Sequence, residues 1–316
     1  MRKIILVSLL WASISAHAEF WGGDFKASDV ETFQPAIVTD RAPARPLNSY
    51  SLYNNTIRVG LNDVLPIVPT FNNKGMLLAS WTPNKPGIAG RPTIIMLHGG
   101  HGIVTNNWAE AIWAHDALKA NVLVLDSYWS RGRDENWQTY NNLGANARAL
   151  DAIAAARWVK SQGVDPDKIF LMGDSQGGWA VLRTLTDEPF FQAEAKPLFR
   201  GGISLYPVCQ TGGGDYKPKL GAYHSPIIIF TGGQDEATPI SNCDSKIFES
   251  ATVWKHYAEA THAWNTSNRG AQTPSVDGEC TRALNVLLHF KICRNDAVTN
   301  DMHDRIKEFV RSVLGG

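Results

Sequence analysis

The sequence predicts an α/β fold in which a mostly parallel central sheet is flanked by helices on both faces. Three observations lead there. Runs of four or five residues are almost continuously apolar, among them Thr93–Leu97, Val122–Leu125, Ile169–Met172 and Pro226–Phe230, as strands covered on both sides should be. Segments with helical spacing or high alanine content separate several of these runs, and such alternation favours parallel pairing. The runs also end in glycines or in polar residues, at the strand ends where open α/β sheets bind ligands.

The chain of 316 residues opens with Arg2 and Lys3, a mostly apolar stretch from Ile4 to Ile14, and Ala16-His17-Ala18 before Glu19. That is the layout of a secretory signal peptide with cleavage near Ala18, and the apolar run is too short for a convincing membrane span. Removing 18 of 316 residues leaves 298, with 28 basic and 30 acidic side chains once Arg2 and Lys3 are gone. A net charge near minus two points to neither nucleic acid nor an anionic membrane as partner. No Pro/Ser-rich linker divides the middle of the chain, so residues 19–316 are expected to form one domain. An exported protein, periplasmic or secreted, is the expectation; its oligomeric state is not legible.

Taken in order, residues 19–50 are irregular and form an N-terminal arm. Two strand-like runs follow, near Thr56–Val59 and Gly75–Trp81, with Asn72-Asn73 as turn residues between them. The buried strand Thr93–Leu97 runs into His98-Gly99-Gly100-His101-Gly102, where glycine lets the backbone bend sharply. Trp108 to Ala120 has helical spacing, Val122–Leu125 returns as a strand, and Asp126 to Arg133 follows it as a loop. Ala145 to Lys160 reads as a helix, and Gly163 to Pro166 as a turn into the strand from Ile169. Beyond lie a helix near Ala180–Leu185, a strand at 202–206, a Gly-rich loop at 212–214, a strand at 226–230, a helix near Ile240–Phe248, a strand at 252–257 and a closing helix from about Asp301 to Val313.

Gly173-Asp174-Ser175-Gln176-Gly177 sits between a strand and a helix, the setting in which G-x-S-x-G is a nucleophile elbow. A tight turn there pushes out the Ser175 hydroxyl, and Gln176, opening the helix, aims its N–H at a developing oxyanion. A serine hydroxyl needs a base, usually a histidine oriented by a carboxylate. Asp235 lies 60 residues on, past one apolar strand, and His262 another 27 on, past the next. Ser, acid, His is the chain order of such hydrolases. Glu236 is a rival acid, and His256 is a rival base placed within a strand. In serine hydrolases of this layout the glycine-rich loop after residue 97 supplies the second oxyanion N–H. His98, Trp129, Arg131 and Trp264 are candidates for the substrate pocket, Arg131 as a partner for a substrate carboxylate. No metal and no organic cofactor is expected.

His98-Gly99-Gly100, Val124 to Tyr128 with Arg131-Gly132, the Gly-Asp-Ser-Gln-Gly-Gly elbow, Leu205-Tyr206-Pro207 with Cys209, Gly233-Gln234-Asp235 with Thr238-Pro239 and Cys243, and Tyr257 through Trp264 together resemble the dienelactone hydrolase family of α/β hydrolases. The resemblance covers roughly residues 90 to 265. It implies an α/β-hydrolase fold, Ser175 as nucleophile, Asp235 as acid, His262 as base, and Gln176 and Gly100 as oxyanion donors. The enzymes that name the family carry a cysteine in the elbow and are cytoplasmic; this chain has Ser175 and a leader, so ester hydrolysis is implied rather than the name-giving substrate.

Four cysteines, at 209, 243, 280 and 293, suit disulfides in an exported chain and do not have zinc spacing. Cys209 with Cys243 would brace the loop bearing Asp235, and Cys280 with Cys293 would close a late loop. Other pairings stay open. Closing loops of these lengths contributes roughly 2 to 4 kcal/mol each. The sequence therefore points to a serine hydrolase acting on a small-molecule ester through an acyl-enzyme. A peptidase or acyltransferase with the same triad, or a non-catalytic binding protein on this scaffold, are the alternatives.

Overall fold

The computed structural model describes residues 25–30, 65–84, 86–131, 143–209, 222–266, 276–284 and 289–316. The expected leader, most of the N-terminal arm, the strand expected at 56–59 and the glycine loop at 212–214 lie outside these residues.

Eight strands form one sheet: β1 (Leu65–Pro69), β2 (Met76–Thr82), β3 (Thr93–Leu97), β4 (Asn121–Asp126), β5 (Ile169–Asp174), β6 (Gly201–Leu205), β7 (Ile227–Gly232) and β8 (Val253–Tyr257). Their spatial order is β1-β2-β4-β3-β5-β6-β7-β8. From β4 to β8 every pairing is parallel, while β2 runs antiparallel to both β1 and β4. The helices are α1 (Thr105–Ala117), α2 (Ala145–Ser161), α3 (Gln176–Thr184), α4 (Pro189–Ala195), α5 (Lys246–Glu249) and α6 (Asp296–Val313).

Two hydrophobic layers explain why the strand sequences are continuously apolar. Ile95, Leu97, Leu123, Leu125 and Leu171 join one layer with residues of α2 and α3. Their neighbours Ile94, Met96, Val122, Val124, Phe170 and Met172 join the other, with residues of α1 and α6. Successive strand residues face opposite sides, so strands covered on both faces are apolar along most of their length. The chain passes from β3 outward to β4, then returns across β3 to β5. The strand order reverses there, which opens a crevice at the carboxyl ends of β3 and β5.

Several boundaries differ from the sequence expectation for identifiable reasons. β1 carries Pro66 and Pro69 and a register shift between Pro66 and Val68; an edge strand tolerates proline, but the proline masks it in sequence. The helix expected at 240–248 is instead a single turn at Ile240–Asn242 and the short α5, separated at Cys243, whose backbone is extended. The closing helix starts five residues earlier than expected, because the Asn295 side chain accepts the Val298 N–H at 3.0 Å and caps it. α4 and a two-stranded hairpin, β9 (Cys280–Leu284) and β10 (His289–Cys293), had no sequence signal we could read. No described helix is long and apolar enough to cross a membrane.

Candidate functional site

Ser175 lies between β5 and α3 with φ 52° and ψ −115°, a strained backbone for a residue with a Cβ. The surroundings hold it there. Its N–H donates to the Leu205 carbonyl at 2.9 Å, and its carbonyl accepts from Trp179 at 3.0 Å and Val208 at 3.1 Å. A Cβ at Gly173 would collide with the Gly177 carbonyl, and one at Gly177 with the Leu97 carbonyl. Only glycine lets strand, helix and the end of β3 approach this closely. Gln176 is the first residue of α3, the end where the helix dipole is positive.

Asp235 and His262 follow β7 and β8. The Asp235 Oδ1 accepts the N–H groups of Ala237 at 2.9 Å and Thr238 at 2.7 Å. Its Oδ2 accepts the Thr238 hydroxyl and the His262 Nδ1–H, both at 2.8 Å. Burial works to raise the Asp235 pKa, but the charge and hydrogen bond of His262 and the bonds from Thr238 outweigh it, and the carboxyl is held below its ordinary range. With Nδ1 bonded to the carboxylate, His262 presents Nε2 as an acceptor. Its ring packs edge-on against Tyr206 (centroids 4.8 Å) and Phe290 of β10 (5.3 Å). Ser175 and His262 are thus linked through the end of β6: Leu205 binds the Ser175 N–H, and Tyr206 flanks the imidazole.

The rivals are engaged elsewhere. Glu236 accepts the Lys291 N–H at 3.0 Å, and His256 on β8 pairs with the Thr231 hydroxyl at 3.0 Å. Over residues 144–232 the sequence matches the profile of a family described as alpha/beta hydrolase fold.

The chain has the α/β-hydrolase fold.

Solved structures with this fold agree. A protein described as a dienelactone hydrolase from Klebsiella pneumoniae superposes with a TM-score of 0.57 at 14% identity, covering 77% of this chain and 96% of the other. A thermophilic esterase from Thermogutta terrifontis, with butyrate bound, gives 0.54 at 18%, covering 82% and 95%. A puromycin-hydrolyzing peptidase from Mycobacterium tuberculosis gives 0.55 at 15%, covering 84% of this chain but 41% of that protein. The fold that the motif resemblance implied is the fold of these structures.

On this α/β-hydrolase scaffold three of the four expected pocket residues are built into the interior. Arg131 is buried in a two-pronged pair with Asp151, each bond 2.8 Å, so its guanidinium faces α2 rather than a substrate. His98 is fully buried, its Nδ1 2.7 Å from the Gly99 carbonyl and its Nε2 accepting the Ser127 N–H at 3.2 Å. Trp264 is fully buried too and packs edge-on against Tyr206 and Tyr257. These three belong to the frame under the site. Trp129 lies in a single turn at Trp129–Arg131, and its side chain is outside the described residues.

A network the sequence did not disclose runs beneath His262. Tyr206 donates its hydroxyl to the Asn265 Oδ1 at 2.9 Å, Asn106 donates to both, and Asn265 donates to Glu110 at 2.8 Å, which also holds His303 at 2.9 Å. Two of its neighbours on the chain, Tyr206 itself and Ala263 beside His262, have φ of 34° and 51°. The network therefore locks strained backbone next to the base. Asparagine, tyrosine and glutamate scattered over 160 residues carry no signature of such a cluster. Both disulfides form, Cys209–Cys243 and Cys280–Cys293. The first joins the segment after β6 to the loop carrying Asp235. The second closes the β9–β10 hairpin, whose Cys293 N–H donates to Thr261 beside His262 at 2.8 Å.

Asp174, immediately before the nucleophile, is pushed up to about 6 by burial, against the Asn107 hydrogen bond and the charges of Arg148 and His262. Between its unfolded value near 4 and about 6 the folded chain binds this proton more tightly than the unfolded one. Its contribution to stability therefore falls as pH rises through that window. Asp174→Asn is expected to melt higher than the native protein above pH 6 and level with it near pH 4, as read by melting temperature from pH 4 to 8. Parallel profiles for the two proteins would refute the assignment.

Proposed function

We propose that the protein is an exported serine esterase that cleaves a small-molecule carboxylic ester in two acyl-transfer steps. The single observation that carries this reading is that the Ser175 elbow and the Asp235–His262 pair follow the ends of β5, β7 and β8 and are joined through Leu205 and Tyr206 at the end of β6. In the first step Ser175 Oγ attacks the ester carbonyl while His262 Nε2 takes its proton. The N–H groups of Gln176 and Gly100 hold the oxyanion, the alcohol leaves with the proton from His262, and the acyl group stays on Ser175. Water then attacks the acyl-enzyme with His262 again as base, releasing the acid and the free serine. The described residues require no metal for any of these roles.

Export is supported by the leader-like opening of the chain and by two disulfides, which persist in oxidising compartments. Labelling of the purified mature protein with a fluorophosphonate probe, followed by turnover of short-chain and aromatic esters, tests the reading. A single labelled site at Ser175 with ester turnover is the expected result. Folded, disulfide-intact protein that does not label would move the assignment to a binding protein on a hydrolase scaffold.

A further inference from the structure

Arg148, on α2, is fully buried, and its guanidinium reaches two segments 78 residues apart in the chain, His98 and Gln176. One terminal nitrogen donates to the His98 carbonyl, and the other to the Gln176 Oε1 at 3.2 Å. The same Oε1 accepts the Tyr128 hydroxyl, while the Gln176 Nε2 donates to the Leu143 carbonyl at 3.2 Å. Tyr128 in turn lies 5.6 Å beneath the guanidinium carbon and packs edge-on against the His98 ring at 4.6 Å. The Gln176 side chain is thereby clamped at both ends, and the carbonyl that precedes Gly99-Gly100 is tied to the same cation.

The cation has no carboxylate bonded directly to it among the described residues. Asp151 is taken by Arg131 in a two-pronged pair, and Asp174 is bonded by Asn107 at 2.6 Å. Burying a guanidinium in this way is costly, and a neutral donor would satisfy either carbonyl at less expense. What a neutral donor cannot do is span both. A planar fork with fixed angles ties its two acceptors at a set separation. Glycines 99 and 100 have no side chains with which to anchor their own loop. Gly99 lies so close to the elbow that a Cβ on it would meet the Asp174 Oδ2 at 2.9 Å.

We propose that Arg148 is a positioning residue whose guanidinium sets the distance between the two segments that carry the oxyanion donors, Gly100 and Gln176. This rests on the acyl-transfer reading above. Two N–H groups stabilise a developing oxyanion only when both are aimed at it in advance, within a few tenths of an ångström. The buried positive charge adds a favourable potential at the same place.

Arg148→Met removes both the fork and the charge. Arg148→Lys keeps the charge, guards against loss of folding, and replaces the fork by a single point donor. Fluorophosphonate titration counts active serines in each preparation, so turnover is expressed per competent site. The expected result is a fall in kcat of about 100-fold for Arg148→Met and a smaller fall for Arg148→Lys. KM should move little, and affinity for a trifluoromethyl ketone analogue of the ester should weaken in step with kcat/KM. A merely structural arginine would lower the melting temperature and leave per-site kcat and analogue affinity as in the native protein; that outcome in either folded variant overturns the proposal. Native protein that neither labels nor hydrolyses esters overturns the acyl-transfer reading and this proposal with it, which separates the two failures.

Discussion

Ser175→Ala is expected to lower ester turnover by about 10⁵-fold or more and to abolish fluorophosphonate labelling, with little change in melting temperature. The hydroxyl is the only group lost. Alanine carries the same Cβ as serine, so the strain at φ 52° is the same in both, and the backbone bonds to Leu205, Trp179 and Val208 do not involve the hydroxyl. Ser175→Gly provides the complementary control, because glycine occupies positive φ without a steric penalty. It should be equally inactive yet more stable than Ser175→Ala, by about 1 kcal/mol. Catalysis and strain are thereby read separately at one position. Turnover by Ser175→Ala within tenfold of the native protein would mean that the elbow serine is not the nucleophile.

The second large effect is expected at Asp235, where Asp235→Asn should reduce kcat by about 10⁴-fold. The hydrogen bonds determine why. Two backbone N–H groups, of Ala237 and Thr238, point at Oδ1. An asparagine must therefore place its carbonyl oxygen there and its NH₂ group at the position of Oδ2, facing the His262 Nδ1. Donor would meet donor unless the imidazole moved its proton to Nε2, and that tautomer cannot accept the serine proton. The fold should survive, since the two backbone bonds and the Thr238 contact persist in kind. Stability is expected to respond to acid as well. The native carboxyl is held below its ordinary range by His262 and Thr238 despite its burial, so its contribution is present above about pH 4 and is lost as pH falls through the depressed value. Asp235→Asn should lack that acid dependence. An asparagine variant with near-native kcat would exclude Asp235 as the orienting acid.

The elbow turn and the Asp235–His262 pair were legible in the sequence because each depends on local pattern. The glycines at 173 and 177 mark a close backbone approach, Asp235 follows a visibly apolar run, and His262 follows the strand-like stretch that ends at Tyr257. The choice of His262 over His256 also followed from local pattern: a residue inside β8 has its direction set by the pleat, and His256 indeed turns to Thr231. Pocket residues were a different matter. Arg131 stands where a substrate carboxylate is expected, and nothing nearby in the chain announces Asp151, twenty residues on in α2. His98 and Trp264 flank loops expected to border the site, but both are fully buried.

Hydrophobic periodicity, turn residues and motif spacing are properties of a few consecutive residues. They determined the mostly parallel sheet and pointed to the three residues of the expected triad; the strand order came from the tertiary structure. Side-chain direction across elements is set only when segments far apart in the chain pack together. The tertiary structure alone decided the Arg148 clamp between His98 and Gln176, the Asn106–Tyr206–Asn265–Glu110 network under His262, and the break of the expected helix at Cys243. The first two depend on buried polar groups finding partners inside the fold once water is excluded, and no local pattern encodes which partner that will be.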